Sequence, residues 1–213
     1  MDDRLRLAQL LVSRLCHDVG GLLGTVSGAL DLELQDAKAP PDAIAAAAEA
    51  AAELTTRLRL LREAWTDDGA GLDLPGLQLL ARGLPGAQRL HLDVSAVPPD
   101  TAFAPLMARM VLNVLLLAAE GLPRGGVISL ADAGHGAVLA SISGPRAGWP
   151  PGLAACLADE DAAWAAMTDA RTLLAPLVAV LSRHLGIRLD ILLPMRAGRR
   201  AIPPLLLSPQ PAG

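Results

Sequence analysis

Two long helical patterns with a single break between them constrain the N-terminal part of this chain more than any other feature. The patterns run through residues 3–65, and the break at residues 36–42 holds Pro40 and Pro41, which do not fit inside a helix. Helices of about 25–32 residues are about 37–48 Å long. A hairpin of that length leaves its apolar stripes uncovered, so we predict that two chains pair as a four-helix bundle. The alternative is a monomer in which the hairpin folds back on the rest of the chain.

The first helix carries an unusual face around His17. Advancing about 100° per residue, we find the following residues within about 60° of His17: Leu10, Ser13, Arg14, Gly20, Gly21, Gly24, Gly28 and Asp31. Each glycine costs about 0.5–1 kcal/mol of helix stability relative to alanine, or about 2–4 kcal/mol for the four. This cost indicates that something approaches the backbone beside His17. Close packing of two helices through small residues is the alternative.

His17 itself suits nucleophilic chemistry. A neutral imidazole on a rigid helix has a free ring nitrogen that can attack an electrophilic phosphorus. Asp18 follows directly and can accept the N–H of the other ring nitrogen. Such a contact would fix the tautomer and stabilise a positively charged phosphoimidazole. A His-Asp pair alone is a weak signal, because it arises by chance in many chains.

After a second break at residues 66–76, strands and helices alternate. Alternating apolar residues predict strands at residues 89–97, 126–132, 137–143 and 187–193. Longer apolar or Ala-rich segments predict helices at residues 77–84, 101–122, 150–169 and 172–186. Residues 205–207 are predicted as an edge strand in a Pro-rich end. The mixture predicts an α+β sandwich with helices on one sheet. We therefore divide the chain into a helical hairpin (1–68), an α/β sandwich (69–200) and a Pro-rich tail (201–213).

The composition argues against several classes of function. The net charge of −4 argues against a nucleic-acid binder with a broad basic field, and 2% aromatic residues argue against base stacking. The most apolar run, residues 110–119, is about half the ~20 residues that span a bilayer, and the N-terminus lacks a secretory pattern. Cys16 and Cys156 are far apart in sequence and are predicted to be free thiols in a reducing cytoplasm. No spacing typical of a metal site is present.

Residues 13–28 (SRLCHDVGGLLGTVSG), followed by ALDLEL, resemble the histidine phosphotransferases of the ChpT type. The resemblance extends over nearly the whole chain. It implies a dimeric helical hairpin in which His17 carries the phosphoryl group beside Asp18, then a degenerate histidine-kinase-type ATPase sandwich. It also implies transfer between aspartates of receiver domains, those of a hybrid histidine kinase and of response regulators. No cofactor is expected, because the receiver supplies the Mg²⁺.

The chain departs from the motifs of the family and of related kinases near the histidine. Leu22 stands where those motifs usually have proline, so the bend must come from Gly20 and Gly21 or be absent. Gly21 stands where kinase-type phosphatases use Thr or Asn to orient a water. We therefore predict no dedicated phosphatase activity.

The second domain also departs from the pattern of an active kinase. Asn113 is retained in residues 110–126 (MVLNVLLLAAEGLPRGG), but the second Asn of that box is Leu117, which cannot ligate Mg²⁺. The adenine box would fall at residues 141–146 (SISGPR), without its Asp. Residues 171–178 (RTLLAPLV) have no glycine to cradle phosphate. We predict that ATP does not bind and that Asn113 satisfies a buried backbone group.

Docking of a receiver is expected on the His17 face. The glycines Gly20, Gly21, Gly24 and Gly28 would admit a receiver helix. Leu10, Ser13 and Arg14 would extend that surface, with Arg14 paired to an acidic receiver rim. A solvated helix surface is the alternative for each contact. Two other functions stay open: an active histidine kinase with an unusual ATP site, and a non-catalytic dimeric adaptor in which His17 is incidental.

Overall fold

The computed structural model describes residues 2–35, 42–67, 69–193 and 202–210. Seven helices lie in these described residues: α1 (Asp3–Gln35), α2 (Asp42–Trp65), α3 (Leu74–Ala81), α4 (Pro105–Glu120), α5 (Leu153–Ala158), α6 (Glu160–Ala166) and α7 (Leu174–His184). The same residues contain seven strands: β1 (Leu72–Asp73), β2 (Leu90–Ala96), β3 (Ala102–Phe103), β4 (Gly126–Gly134), β5 (Ala137–Ser143), β6 (Ile187–Ile191) and β7 (Leu205–Pro209). Short 3₁₀ turns lie at Ala87–Arg89 and Ala170–Thr172. None of the helices described has the length and apolar run needed to cross a membrane.

The two N-terminal helices pack side by side as the predicted hairpin. Helix α1 is uninterrupted over 33 residues, so Gly20 and Gly21 do not break it. Ala29 of α1 packs against Ala43 and Ala47 of α2, where small side chains let the helices approach closely. The predicted break at residues 36–42 lies, except for Asp42, outside the described residues.

The second part is a layer of helices on a five-stranded sheet of order β2-β4-β5-β7-β6. Strands β2 and β4 are parallel, and the other neighbours are antiparallel. One face of the sheet is buried, because alternate residues such as Ile128, Leu130 and Ala140 enter the same core as α4 and α7. The predicted α+β architecture is thus confirmed.

The strand near the C-terminus corrects an expectation. The sequence predicts residues 205–207 at a sheet edge, but β7 lies between β5 and β6. Leu207 pairs with Val138 on one side and Leu189 on the other, and it is fully buried. Pro203 and Pro204 precede β7, and Pro209 is its last residue, beyond the part that pairs with β5, so these prolines do not interrupt the central pairing. Residues 205–209 therefore belong to the sheet and not to a separate tail.

Two helical segments are shorter than expected. Helix α4 begins at Pro105, because residues 102–103 pair as β3 with β1. Residues 150–169 form two short helices separated at Asp159, whose carboxylate caps α6 by accepting from the N–H of Asp161. Helix α7 ends as expected before Gly186, which has φ +64°.

Buried polar side chains attach the hairpin to the sheet domain. Asn113 of α4 is fully buried and donates from Nδ2 to the carbonyl of Ala64 at 2.8 Å, while Trp65 Nε1 donates to its Oδ1 at 3.2 Å. The predicted structural role of Asn113 is confirmed. Arg57 of α2 is also buried and donates to the carbonyls of Gly83 and Leu84. The end of α2 is therefore fixed against both α4 and the segment after α3.

Candidate functional site

His17 lies near the middle of α1 with 67% of its side chain exposed. Its Nδ1 is 3.3 Å from Oδ1 of Asp18. When Nδ1 carries the proton, this N–H donates to the carboxylate and Nε2 keeps a free lone pair. The distance fits the contact expected from the adjacent His and Asp, and in this tautomer Nε2 is the ring nitrogen with the free lone pair.

Asp18 is held in turn by Arg14, one helical turn earlier. Arg14 Nε donates to Oδ2 of Asp18 at 2.9 Å, and Arg14 Nη2 lies 2.7 Å from Oε1 of Glu120 at the end of α4. Arg14 Nη1 donates to the carbonyl of Ala170 at 3.1 Å. The hairpin and the sheet domain therefore meet directly beside His17.

The position of Arg14 corrects its predicted role. The sequence predicts that it faces a receiver, but the residue is only 8% exposed and its guanidinium contacts Asp18, Glu120 and Ala170. The helical periodicity of α1 could not reveal this, because the partners belong to α4 and to a turn 156 residues further along the chain. Arg14 is an internal contact of this site.

Burial shapes the electrostatics of this cluster. Burial lowers the pKa of Arg14, but the hydrogen bond that Arg14 donates to Asp18 and the charges of Glu120 and Asp18 outweigh it, so its pKa is raised. For Glu120 burial dominates and raises the pKa, against the stabilising charge of Arg14. One buried cation is thus shared between two carboxylates.

A cleft of about 330 Å³ opens between the hairpin and the sheet domain beside His17. Its lining comes from both parts: Ser13, Arg14, His17, Asp18, Glu120, Asp169, Ala170 and Arg171. Arg171 is exposed, and its backbone N–H donates to the Asp169 carboxylate at 2.9 Å. Sequence reasoning missed these residues of the second wall, because no local pattern indicates which segment returns to α1.

The remaining predicted surface residues differ in exposure. Ser13 and the four glycines are exposed, whereas Leu10 is half-buried against the main core. A Cβ added at Gly20, Gly21, Gly24 or Gly28 would meet no described atom within 4 Å. We call these four residues the glycine face. Within the described residues of one chain, the glycine face is not a helix-packing seam.

Other reactive side chains lie apart from this site. His91 is exposed on β2, His135 sits in a turn with φ 52°, and His184 is exposed at the end of α7. Cys16 is exposed and Cys156 is buried, and both are free. Among the described residues, no group of three or more His, Cys, Asp or Glu side chains could hold a metal ion.

One solved structure supports the fold. The chain is similar to a structure titled "1.7 Angstrom Structure of a Bacterial Phosphotransferase", with 21% identity, 95% of each chain covered and a TM-score of 0.72. A histidine kinase from Burkholderia phymatum STM815 matches at 18% identity, covering 94% of this chain and 99% of the kinase, with a TM-score of 0.36. A search of curated proteins gives no match.

A family model identifies the second part of the chain. The model "Histidine phosphotransferase C-terminal domain" matches residues 75–195, more than half of the chain. The matched segment includes Glu120 and Arg171 of the cleft but not His17. The resemblance seen in the sequence is confirmed: the chain belongs to the family of proteins with this histidine phosphotransferase domain.

Proposed function

We propose that this protein is a phosphorelay histidine phosphotransferase, which carries a phosphoryl group on His17 between receiver-domain aspartates without using ATP. The observation that carries the proposal is the exposed imidazole whose Nδ1 lies beside Asp18 in a cleft between two parts of the chain. Nε2 of His17 attacks the phosphorus of an aspartyl phosphate, the P–O bond to the receiver aspartate breaks, and the aspartate leaves as a carboxylate. The second transfer reverses these bonds on another receiver.

Asp18 supports both transfers through charge. Once Nε2 carries the phosphoryl group, the ring holds a proton on Nδ1 and is positively charged. The Asp18 carboxylate accepts from that N–H and stabilises the charged ring. The remaining acceleration of phosphoryl transfer comes from alignment, because the receiver must bring its aspartate in line with Nε2. The Mg²⁺ that neutralises the transferring group belongs to the receiver's acidic pocket in this proposal.

The partners in this proposal are the receiver domains of a hybrid histidine kinase and of response regulators. The glycine face offers open space along α1, where a receiver helix would come close to the backbone. Asp169 and Arg171 form the opposite wall, so a receiver in the cleft would contact both parts of the chain. The free cysteines fit a reducing cytoplasm, where we place this exchange.

The proposal includes a homodimer through the hairpin. Five large apolar side chains of α1 are exposed, and four of them lie along one side and form what we call the apolar stripe: Leu5, Val12, Leu23 and Leu30. The fifth, Leu32, lies about 60° around α1 from His17. At about 100° per residue, the apolar stripe lies about 130° around α1 from His17. Ile44 and Leu58 of α2 are also exposed. Pairing two hairpins would cover these side chains and leave His17 accessible.

Two contacts support the absence of ATP binding in this proposal. The Asn113 amide donates to Ala64 and accepts from Trp65, and Leu117 is fully buried in α4. An amide engaged in this way is unavailable to a Mg-nucleotide. The chain would therefore receive its phosphoryl group only from another protein.

Incubation with a ³²P-labelled receiver tests this function. We expect acid-labile label on the wild-type protein and none on His17→Ala, which should fold normally because His17 is mostly exposed. Labelled ATP should give no label. Label on His17→Ala would refute the role of His17, label from ATP would favour a kinase, and no label on the wild type would favour an adaptor.

A further inference from the structure

We infer that Arg14 and Glu120 are positioning residues that orient His17 through Asp18. This inference rests on the proposed function of His17. It assigns a role to the sheet domain in the chemistry itself, since Glu120 belongs to α4.

Arg14 contacts three separate segments with three nitrogens. Nε donates to Asp18 within α1 at 2.9 Å, Nη2 contacts Glu120 of α4 at 2.7 Å, and Nη1 donates to the Ala170 carbonyl at 3.1 Å. A guanidinium is a rigid planar fork, so these contacts fix its orientation together. A lysine ammonium is a single point and cannot reproduce the three directions.

The orientation of Arg14 sets that of Asp18. Oδ2 of Asp18 accepts from Arg14, and the other oxygen, Oδ1, lies 3.3 Å from Nδ1 of His17. The Asp18 side chain is only 13% exposed, so water competes little for these oxygens. Holding Oδ2 therefore directs Oδ1 at the ring and favours the tautomer that leaves Nε2 unprotonated.

Glu120 balances the charge of Arg14. Without Glu120, the buried guanidinium would have Asp18 as its only ion-pair partner among the described residues, and Asp18 would be a weaker acceptor for His17. With Glu120 present, one cation is shared by two carboxylates. Asp18 then keeps negative charge for the phosphorylated ring. The other charged groups facing this cluster are Arg57 of α2 and, across the cleft, Asp169 and Arg171.

The test combines ¹⁵N NMR of the His17 ring with the rate of phosphorylation by phosphoramidate, a small donor that needs no receiver. The variants are Arg14→Lys and Glu120→Gln. Asp67→Asn is the matched control, because Asp67 also pairs with an arginine, Arg109, but lies outside the His17 cleft. Denaturation curves show which variants are folded.

We expect His17 of the wild type and the control to be protonated mainly on Nδ1. In Arg14→Lys the Nε2-protonated tautomer should increase and phosphorylation should slow by about tenfold. Glu120→Gln keeps an oxygen for Arg14 but loses the charge. We therefore expect the Nε2-protonated tautomer to increase in this variant too, and phosphorylation to be about threefold slower. If Arg14→Lys does not fold, the Glu120→Gln variant alone tests the positioning role.

Rates within the range of the Asp67→Asn control in the folded variants would overturn the inference. The failure of the proposed function looks different, because the wild type itself would then take up no phosphoryl group. In that case only the tautomer of the His17 ring tests the positioning role, and an unchanged ¹⁵N spectrum in both variants would overturn the inference.

Discussion

At the scale of single residues, Asp18 has two partners and so two tasks. Oδ1 lies beside the His17 ring, and Oδ2 accepts from the buried Arg14. The contact between His17 and Asp18 could be predicted from the sequence, because the two residues are adjacent. The burial of Arg14 was not, because helical periodicity within α1 contains no information about Glu120 and Ala170.

We predict that Asp18→Asn slows phosphoryl uptake from a phosphorylated receiver by about 100-fold. The amide can still accept from Nδ1, but it has no charge to stabilise the phosphorylated ring. Rapid-quench labelling of wild-type and variant protein measures the effect. A rate within twofold of wild type would show that Asp18 has no part in the transfer.

Arg171 provides a prediction about the second wall of the cleft. Because its side chain is exposed and its backbone makes the local contacts, Arg171→Ala should leave the fold intact. We expect receiver transfer to weaken by about fivefold, or about 1 kcal/mol, while phosphoramidate labelling stays unchanged. Arg188→Ala, an exposed arginine on β6, is the control. Equal transfer rates for both variants would remove Arg171 from the docking surface.

At the scale of elements, α1 keeps four glycines where one chain offers no packing reason for them. A Cβ at each of these positions would enter open space, so alanine should fit there. At Gly83 the opposite holds, because a Cβ would clash with the carbonyl oxygen of Thr56. These two kinds of glycine cannot be told apart in the sequence.

The glycine face therefore gives a test in which stability should rise while the rate of receiver transfer falls. Gly24→Ala should stabilise the protein by about 0.5–1 kcal/mol in urea denaturation and slow receiver transfer. The stability rises because alanine favours helix, and transfer slows because the receiver can no longer approach the backbone. Phosphoramidate labelling should not change, since that donor is small. A stabilised variant with unchanged receiver transfer would show that no partner docks there.

Element positions illustrate what periodicity can and cannot predict. The hairpin and most strands were predictable, because their apolar spacing is regular over many residues. The place of β7 was not, since a run such as Leu205–Pro209 has the same alternation at an edge or in the middle of a sheet. Its two neighbours, β5 and β6, come from separate parts of the chain, and only the tertiary pairing selects them.

At the scale of the whole molecule, the attachment of hairpin to sheet domain places the cleft. Arg14 with Glu120 joins the two parts beside His17, and Asn113 with Ala64 joins them at the end of α2. Both attachments involve α4. The general α+β layout followed from the sequence, but these attachments depend on contacts between distant segments.

The apolar stripe makes a prediction about assembly. Light scattering should give the wild type twice the 22.0 kDa mass of the chain, and Val12→Glu should give the single-chain mass. A buried glutamate at the dimer seam would be unpaired, so association would be lost. Leu79→Glu, at an exposed apolar residue of α3, should remain dimeric. A monomeric wild type would contradict the four-helix bundle.

The most direct measurement is the location of the phosphoryl group after incubation with a phosphorylated receiver. Mass spectrometry identifies the residue, and ³¹P NMR distinguishes the two ring nitrogens. We predict phosphate on Nε2 of His17, removed when a second, unphosphorylated receiver is added. Phosphate on Nδ1, or on any residue other than His17, would contradict it.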